Sequence, residues 1–261
     1  MIDSLWTYRK FIWGNAWREL WFRYAGSGAG FVWNAIHPLF QILLYTLVFS
    51  QLMHPRIPNM PSSFGFAIYL CSGLIPWMGF HETVTRCTGS FVANANYIKK
   101  LPIPEQVFVG QNALSCCMNL AMTAAIFAFV CILLGHPPSL SWLALPLVLA
   151  SLEGFGFGLG LFLGVMNTFF RDIGQALVLV LQLLFWMTPI VYMSSILPEW
   201  ARRMLYFNPV FYFVDASQRI VVECAWPHWS SFLIMFTIAT LFCMLGYLTL
   251  MRLRPQIRDA L

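Results

Sequence analysis

The sequence predicts an all-α integral membrane protein with six transmembrane helices, and two observations support this prediction. Hydrophobic residues make up 59% of the 261 residues and charged residues only 10%, with a mean hydropathy of +0.71. Soluble globular domains carry about 25% charged residues, so the composition excludes a water-soluble fold. The apolar residues are also gathered into six long runs, and a helix of roughly 20 apolar residues spans a bilayer.

The six predicted spans are separated by polar or proline-containing segments. They cover residues 30–53, 64–86, 107–134, 140–166, 173–193 and 229–253. Pro76 is expected to kink the second span, and Pro189 lies near the end of the fifth, because proline lacks the amide hydrogen that a helix needs. We interpret residues 1–261 as one transmembrane domain. Its parts are 1–29 before the first span, 30–193 with spans one to five, 194–228 as an outer loop, and 229–261 with the sixth span and a tail.

The placement of basic residues predicts that both termini lie in the cytoplasm. Short cytoplasmic loops of membrane proteins are enriched in Lys and Arg. If both termini are inside, eleven of the 15 Lys and Arg residues are cytoplasmic, and the outer ones are Arg56, Arg202, Arg203 and Arg219. The basic residues form no continuous face and no nucleic-acid-binding motif, so no nucleic-acid partner is expected despite the net charge of +5.

The segment before the first span, residues 5–24, is predicted to be a helix lying on the cytoplasmic face of the membrane. Its apolar stripe recurs at helical spacing and consists of Trp6, Trp13, Trp17, Leu20 and Tyr24. Asn15 and Arg18 lie on the other side of this helix. A Trp-rich helix with basic residues is typical of the membrane interface, and a plain N-terminal anchor is the alternative interpretation.

The outer loop, residues 194–228, is rich in aromatic residues but too short to form two spans. Asn208 and Pro209 interrupt it, and Asp215 and Arg219 have the i,i+4 spacing of a helical ion pair. We therefore expect a helical hairpin that re-enters the outer leaflet between spans five and six. Turns at such depth are tolerated where protein or a cavity surrounds them.

The short polar stretch between the second and third spans begins at Asn94 and reads Asn-Ala-Asn-Tyr-Ile-Lys-Lys-Leu-Pro-Ile-Pro-Glu. Lys99 and Lys100 place it on the cytoplasmic side. Pro102 and Pro104 end any helix that begins near Asn94. The stretch therefore predicts a short helix held rigidly below the membrane, as a surface for another protein.

The fourth span contains a glycine-rich stretch and an acidic residue. Gly156, Gly160 and Gly164 share one helix face, which predicts close packing against another helix. The GxG elements do not indicate a dinucleotide site, because they lie inside an apolar helix rather than after a strand. Glu153 lies near the membrane midplane, where a carboxylate is costly. It either binds substrate or relays protons, or it is protonated and hydrogen-bonded to a neighbouring helix.

The sequence contains no motif for catalysis, metal binding or nucleotide hydrolysis. It has no HExxH, no GxSxG, no CxxC among its seven cysteines and no GxxxxGK[ST] phosphate-binding loop. We therefore expect no catalytic residue, no metal and no cofactor in this chain. If the protein works against a gradient, the energy must come from another chain or from an ion gradient.

Aromatic residues form 17% of the chain, and many lie at span ends, as in the aromatic belts of membrane proteins. Flat aromatic faces also stack on the apolar faces of sugar rings with little specificity, which suits a sliding polymer. Lipid-facing or core positions are the alternative for most of them. The candidates for a glycan path are Trp33, Tyr45, Phe49, Tyr69, Trp77, Phe80 and Trp186.

A series of stretches runs along nearly the whole chain. They are Arg18-Glu-Leu-Trp-Phe-Arg-Tyr, Tyr69-Leu-Cys-Ser-Gly-Leu-Ile-Pro-Trp, Ser90-Phe-Val-Ala-Asn-Ala-Asn-Tyr-Ile-Lys-Lys-Leu-Pro-Ile-Pro, Asn167-Thr-Phe-Phe-Arg-Asp-Ile-Gly, Pro189-Ile-Val-Tyr, Pro198-Glu and Asn208-Pro. In this order and spacing the chain resembles the permease subunit of polysaccharide ABC exporters, the ABC-2 type family that moves O-antigens, teichoic acids and capsular glycans.

The resemblance implies a homodimer of six-span subunits in the bacterial inner membrane, bound to two ATP-binding subunits that would hold the ATP and Mg²⁺. It implies a non-catalytic permease in lipopolysaccharide biosynthesis, which carries a polyprenyl-diphosphate-linked, O-antigen-like polysaccharide outward. Contacts to the ATPase would come from Asn94, Asn96, Tyr97, Ile98, Lys99, Lys100, Leu101, Arg171 and Asp172. The gate for the lipid-linked glycan would be formed by Arg18, Arg23, Tyr24, Gly26 and Gly30, with Arg23 near the diphosphate.

Other functions stay open on the sequence alone. An ABC-2 permease could carry a capsular polysaccharide, a lipid or a drug instead. A membrane-embedded enzyme or an ion-coupled flippase would use Glu153 and need no ATPase. A passive scaffold would show no transport defect when the cytoplasmic loop is changed.

Overall fold

The computed structural model describes residues 2–22, 32–52 and 64–260, and within these ranges every regular element is helical. The helices are α1 (Ile2–Thr7), α2 (Arg9–Phe22), α3 (Trp33–Leu52), α4 (Gly65–Ala93), α5 (Ala95–Lys100), α6 (Gln106–Leu133), α7 (Leu145–Phe169), α8 (Asp172–Met187), α9 (Glu199–Leu205), α10 (Phe211–Val222) and α11 (Trp229–Ala260). Short 3-10 helices lie at Leu140–Ala144 and Ser194–Ile196. The predicted all-α class is confirmed for the described part of the chain.

Three helical segments in the described ranges are long and apolar enough to cross a membrane, and they correspond to the predicted third, fourth and sixth spans. They are Gln106–Leu133, Leu140–Phe169 and Trp229–Ile257. The helices α3, α4 and α8 lie at the positions of the other three predicted spans. Six crossings of the membrane therefore stay a prediction.

The helix in the fifth predicted span is shorter than the sequence suggested. The apolar run covers residues 173–193, whereas α8 ends at Met187 and Thr188 is extended, with φ −103° and ψ 131°. A proline ring clashes with a helical conformation of the residue before it, and Pro189 directly follows Thr188. In contrast, α4 is longer than the predicted run and continues to Ala93.

The helix α7 packs between α4 and α11, and its glycines allow the close approach. A side-chain carbon added to Gly160 would overlap Cys87 of α4, and one added to Gly164 would lie 3.0 Å from the carbonyl oxygen of Cys87. On another face, a carbon added to Gly158 would overlap the backbone of Cys243 in α11. The predicted close packing of the glycine face is confirmed, because small residues let helix backbones meet in a membrane protein.

Buried apolar side chains form two clusters. The larger one joins α4, α6, α7 and α10 around Phe80, Phe155 and Phe213. The smaller one, named here the inner cluster, consists of Cys87, Phe91, Ile98, Phe108, Val109, Leu161, Val165, Leu250 and Ile257. The inner cluster joins the ends of α4, α6, α7 and α11 that surround α5, and it therefore fixes the position of α5.

The region of the predicted outer hairpin contains α9 and α10, joined by a turn at Asn208. The Nδ2 group of Asn208 donates to Oγ1 of Thr188 at 2.8 Å, and α10 is largely buried against α4 and α7. The predicted pair of Asp215 and Arg219 is wrong for the described residues. Arg219 instead pairs with Glu223, with 3.6 Å between Nε and Oε2.

Candidate functional site

The first candidate surface is α5, which follows α4 after a single residue. Asn94 ends α4, since its Nδ2 donates to the carbonyl of Ser90 at 2.9 Å. The carbonyl of Asn94 accepts hydrogen bonds from the amides of Tyr97 and Ile98, both at 3.0 Å, and so begins α5. The helix ends at Leu101, which is extended because a proline follows it. The structure thus contains the short helix that the sequence predicts at this place.

The two faces of α5 differ sharply in exposure. Ile98 is fully buried in the inner cluster. The ring of Tyr97 is 59% exposed and also stacks on Phe108 of α6. The exposed residues of this segment are Asn96, Tyr97, Lys99, Lys100 and Leu101. The helix α5 therefore has one buried anchor, Ile98, and a basic, partly aromatic exposed face.

The segment after α5 is held by an ion pair that the sequence analysis missed. Glu105, just before α6, is 1% exposed, and its Oε2 accepts a hydrogen bond from Nε of Arg254 in α11 at 2.9 Å. A carboxylate at the start of a helix is also favoured by the helix dipole. The two residues are 149 positions apart, so no local pattern could reveal the pair. The pair joins the segment between α5 and α6 to the C-terminal part of α11.

The second candidate surface is the turn between α7 and α8, where Arg171 and Asp172 are exposed. Asn167 holds this turn: its Oδ1 accepts from the amide of Gly174 at 3.0 Å, and its Nδ2 donates to the carbonyl of Thr88 in α4 at 3.5 Å. Thr88 lies in the last turns of α4, directly before α5. Both candidate surfaces therefore lie at the same end of α4.

The helix α2 packs on α6 with the face opposite to its tryptophans. The buried residues of α2 are Ile12, Ala16 and Leu20. The exposed tryptophans, between 50% and 68% accessible, are Trp13, Trp17 and Trp21 of α2 and Trp6 of α1. Leu20 therefore faces the protein. The prediction that Leu20 belongs to the tryptophan stripe is wrong. The exposed tryptophan face fits the predicted position in the membrane interface.

A network of charged and polar groups fixes α2 against α4 and links α4 to α6. Arg86 of α4 forms ion pairs with Glu19 of α2 and with Glu82, the latter with 3.3 Å between Nη1 and Oε1. Asn119 of α6 donates through Nδ2 to Oε2 of Glu82 at 2.8 Å. Both of these ion pairs of the Arg86 guanidinium are with carboxylates of the same chain.

Of the predicted gate residues, only Arg18 lies in the described ranges. Its side chain is exposed and donates to Oδ1 of Asn15. The other four, Arg23, Tyr24, Gly26 and Gly30, lie outside the described residues. Asn34 in the first turn of α3 donates through Nδ2 to the carbonyl of Leu20 at 2.8 Å. This bond fixes the start of α3 against the end of α2.

The predicted glycan-path aromatics occupy different environments. Tyr45 and Trp77 line a cavity of about 480 Å³ between α3, α4 and α6. The ring of Trp77 lies 5.6 Å from that of Phe185, which also lines the cavity. Phe80 is fully buried and stacks on Phe155 with 5.0 Å between ring centroids. A polymer therefore has no access to Phe80 in this conformation.

The remaining aromatic candidates lie away from the cavity or outside the description. The hydroxyl of Tyr69 lies within hydrogen-bond distance of two backbone carbonyl oxygens in the loop after α8, at 3.0 Å from that of Tyr192 and 3.2 Å from that of Pro189. Trp33 and Trp186 are 41% and 60% exposed. The side chain of Phe49 is outside the described part. In this conformation Tyr69 holds the loop after α8 against α4.

Glu153 joins α7 to α4. It is 6% exposed, and its Oε2 accepts a hydrogen bond from Oγ1 of Thr83 at 2.5 Å. It is not among the described residues that line the cavity. This contact is the one expected if Glu153 bonds to a neighbouring helix, the second alternative from the sequence.

Known proteins that resemble the chain are membrane transport proteins. The family model described as ABC-2 type transporter matches residues 10–222. The O-antigen export system permease protein RfbA of Klebsiella pneumoniae is 31% identical over 194 residues, which cover 74% of this chain and 73% of the relative. The protein of the same name from Myxococcus xanthus is 28% identical over 229 residues, 87% and 86% of the two chains. The polysialic acid transport protein KpsM of Escherichia coli is 24% identical over 228 residues, 86% and 87%.

Proposed function

The chain belongs to the ABC-2 type transporter family, and from this premise we propose that it is the membrane-spanning, non-catalytic subunit of an ATP-driven polysaccharide exporter. It moves a lipid-linked, O-antigen-like glycan from the cytoplasmic to the outer side of the bacterial inner membrane. The names of the relatives, O-antigen export permeases and a polysialic acid transporter, support a polysaccharide as cargo. A capsular polysaccharide, a lipid or a drug is the alternative cargo.

The observation that carries the proposal is the geometry of α5. Its outer surface presents Tyr97 and Lys99 to another protein, while Ile98 is inserted into the inner cluster. A force on α5 therefore passes through Ile98 into four long helices at once. The sequence has no phosphate-binding loop, so ATP and Mg²⁺ belong to a separate subunit, which would grip α5 and the turn at Arg171 and Asp172.

The mechanism follows from a rigid-body movement of two such chains. In this proposal each chain has six spans, and both termini are cytoplasmic. Closure of two ATP-binding subunits pushes on α5 of each permease, and the two permeases shift against each other and open a path. The polyprenyl diphosphate enters at the gate near Arg18 and Arg23, and the glycan follows past aromatic rings.

Copurification of the tagged chain from native membranes, followed by an ATPase assay, tests this proposal. We expect an ATP-binding subunit to copurify with the wild type. Lys99→Glu and Tyr97→Ala should lose this subunit and abolish export, because loss of a central interface residue weakens binding by about tenfold or more. Lys10→Glu is the matched control, since Lys10 is an exposed lysine of α2.

Two outcomes contradict the proposal. One is a wild-type protein that copurifies with no ATPase in cells that export the glycan. The other is normal export by both α5 variants. The level of folded protein in the membrane is measured for each variant, so that loss of export is not confused with loss of the protein.

The burial of Glu153 favours an ion-coupled flippase as the second candidate. Glu153→Gln separates the two functions, because a glutamine retains an oxygen that accepts the hydrogen bond from Thr83. The exporter proposal expects export close to the wild-type rate. An ion-coupled flippase predicts an inactive variant and transport that needs no ATPase.

A further inference from the structure

We propose that the ion pair of Glu105 and Arg254 is a mechanical link between α5 and α11, which passes a displacement of α5 on to α11 and α7 during export. This inference rests on the proposed function and assigns Arg254 a positioning role in it. Nε of Arg254 donates to Oε2 of Glu105 at 2.9 Å, and Glu105 is 1% exposed. The side chain of Arg254 is 41% exposed, so the pair lies at the edge of the packed helices.

Glu105 follows the position of α5, because the segment between them is short and stiff. The helix α5 ends at Lys100, and residues 101–104 separate it from Glu105. Leu101 is extended, and Pro102 and Pro104 each have a fixed φ. A proline-rich segment acts as a semi-rigid spacer. A displacement of α5 is therefore expected to reach Glu105 through this spacer.

The C-terminal part of α11 presents one face to the inner cluster and to Glu105. Leu250, Arg254 and Ile257 have the i, i+4 and i+7 spacing of a single helix face. Leu250 and Ile257 are fully buried in the inner cluster, which also contains Ile98 of α5. Arg254 therefore lies between two buried apolar residues on the face that meets α5, and its Nε reaches Glu105 from there.

The helix α11 is long enough to reach α5 from within a membrane. Its 32 residues span about 48 Å at a rise of 1.5 Å per residue, whereas the apolar core of a bilayer is about 30 Å thick. The last part of α11, which carries Arg252 and Arg254, therefore extends beyond the apolar core. A charged side chain there avoids the free-energy cost that it would have within lipid.

On another face, the backbone of α11 lies directly against the backbone of α7. A side-chain carbon added to Gly158 of α7 would overlap the backbone of Cys243, and one added to Gly246 of α11 would overlap the carbonyl oxygen of Gly158. Closely packed interiors transmit strain, so a displacement of α11 is expected to displace α7. The chain joins α5 directly to α4 and α6, and the ion pair adds a connection to α11 and, through it, to α7.

Stability alone is a weak explanation for this ion pair. The free energy needed to remove two charges from water is often as large as their attraction, and apolar residues of similar volume often stabilise a protein equally well. A charge-assisted hydrogen bond, in contrast, fixes the distance and the direction between its two groups. The pair of Glu105 and Arg254 therefore suits a fixed link between α5 and α11.

Variants of the pair in the complete transporter separate transmission from folding. Glu105→Met combined with Arg254→Met removes both charges at similar side-chain volume and leaves no charge buried without a partner. Arg254→Lys keeps a cation that can donate to Glu105. Arg252→Met is the matched control, since Arg252 is an exposed arginine of the same helix.

Three quantities are measured for each variant. They are the amount of ATP-binding subunit that copurifies from native membranes, the ATP hydrolysis rate of the purified complex, and the rate of glycan export in the same cells at an equal amount of complex. A loss of folded protein lowers hydrolysis and export in the same proportion. The ratio of export to hydrolysis therefore reports transmission and not stability.

We expect the double variant to retain the ATP-binding subunit and to hydrolyse ATP within about twofold of the wild-type rate, while export falls roughly fivefold, a typical effect of a residue that connects two sites. Arg254→Lys should recover most of the export, because its ammonium group replaces the lost donor. Arg252→Met should match the wild type in all three measurements. Glu105→Gln is a milder variant, which retains an oxygen for Arg254, and its ratio should lie between those of the double variant and the wild type.

The outcomes separate this inference from the proposed function. If the ATP-binding subunit copurifies and the double variant has the wild-type ratio of export to hydrolysis, the link is wrong and the exporter stands. A parallel loss of hydrolysis and export in the variants of the pair has the same meaning. If the double variant does not fold, a wild-type ratio in Glu105→Gln overturns the link. If no ATP-binding subunit copurifies with the wild type from cells that export the glycan, the proposed function is wrong, and the inference with it.

Discussion

The helices α7 and α8 are adjacent in sequence and similarly apolar, yet the protein covers them very differently. Of the 25 residues of α7, 13 are buried, whereas α8 buries only Leu177 and Leu181 among its 16. Glycines on two faces of α7 admit the backbones of α4 and α11, while α8 presents large side chains that are 50% to 69% exposed at Val178, Leu179, Val180, Leu183 and Trp186. An apolar helix is not buried by other helices merely because it is apolar, since lipid is as apolar as leucine. Small residues determine which helix packs closely against its neighbours, because they let the backbones approach.

The contrast between a closely packed and a largely exposed helix also distinguishes the two candidate functional regions, α5 and the cavity beside α3. The helix α5 rests on the well-packed helices through the inner cluster. In α3, Phe40, Leu43 and Leu47 are exposed like the side chains of α8. The cavity lies where the sparsely covered α3 meets the well-covered α4. A push on α5 would move the packed helices together, and we expect the cavity border to change shape first.

The largest expected effect comes from disrupting the packed side at Gly160. In Gly160→Leu the side chain would overlap Cys87 of α4, and overpacking of a tight core costs about 3 kcal/mol or more when backbone must move. We expect little folded protein by size-exclusion chromatography after detergent extraction. Gly89→Leu is the control, since no atom lies within 4 Å of the added carbon. Normal yield of Gly160→Leu would show that α4 and α7 are not tightly packed.

The second-largest effect on stability is expected from truncation of Ile98, the buried residue of α5. Ile98→Ala removes a fully buried side chain and should lower the free energy of unfolding by about 2–4 kcal/mol, measured by titration with dodecyl sulfate. Tyr97→Ala removes a side chain that is 59% exposed and should change this free energy by much less. If the two variants were equally stable, Ile98 would not anchor α5.

A smaller effect is expected at the ion pair behind α5. Arg254→Ala leaves the carboxylate of Glu105 buried without the guanidinium and should cost about 1–3 kcal/mol of unfolding free energy. Arg252→Ala is the matched control, because Arg252 is an exposed arginine of the same helix. The same cost for both variants would mean that the pair contributes nothing specific.

The smallest effect on stability is expected on the bare face of α8. Leu179 is 69% exposed and Leu181 only 1%. Leu179→Ala should change the unfolding free energy by no more than about 0.5 kcal/mol, whereas Leu181→Ala should cost about 2–4 kcal/mol. If the proposed homodimer uses the bare face, Leu179→Ala should also shift the size-exclusion profile toward the monomer. Equal destabilisation by both variants would contradict the contrast between the two faces.

The sequence by itself determined the features that depend on neighbouring residues. The helical class, the three long apolar spans, the glycine face of α7 and the short helix after Asn94 all follow from hydrophobic runs, helical spacing and proline. The early end of α8 at Thr188 is also local, because the ring of Pro189 disfavours a helical conformation of the residue before it.

Only the tertiary structure decided which face meets which partner. Helical periodicity groups residues onto a face but does not say what covers it, so Leu20 was assigned to the tryptophan stripe although it packs on α6. Likewise, Phe80 is enclosed in the core while Trp77, three residues away, lines a cavity. The pair of Glu105 and Arg254 joins segments 149 residues apart. Such contacts are set by the packing of whole helices, which no local stretch of sequence specifies.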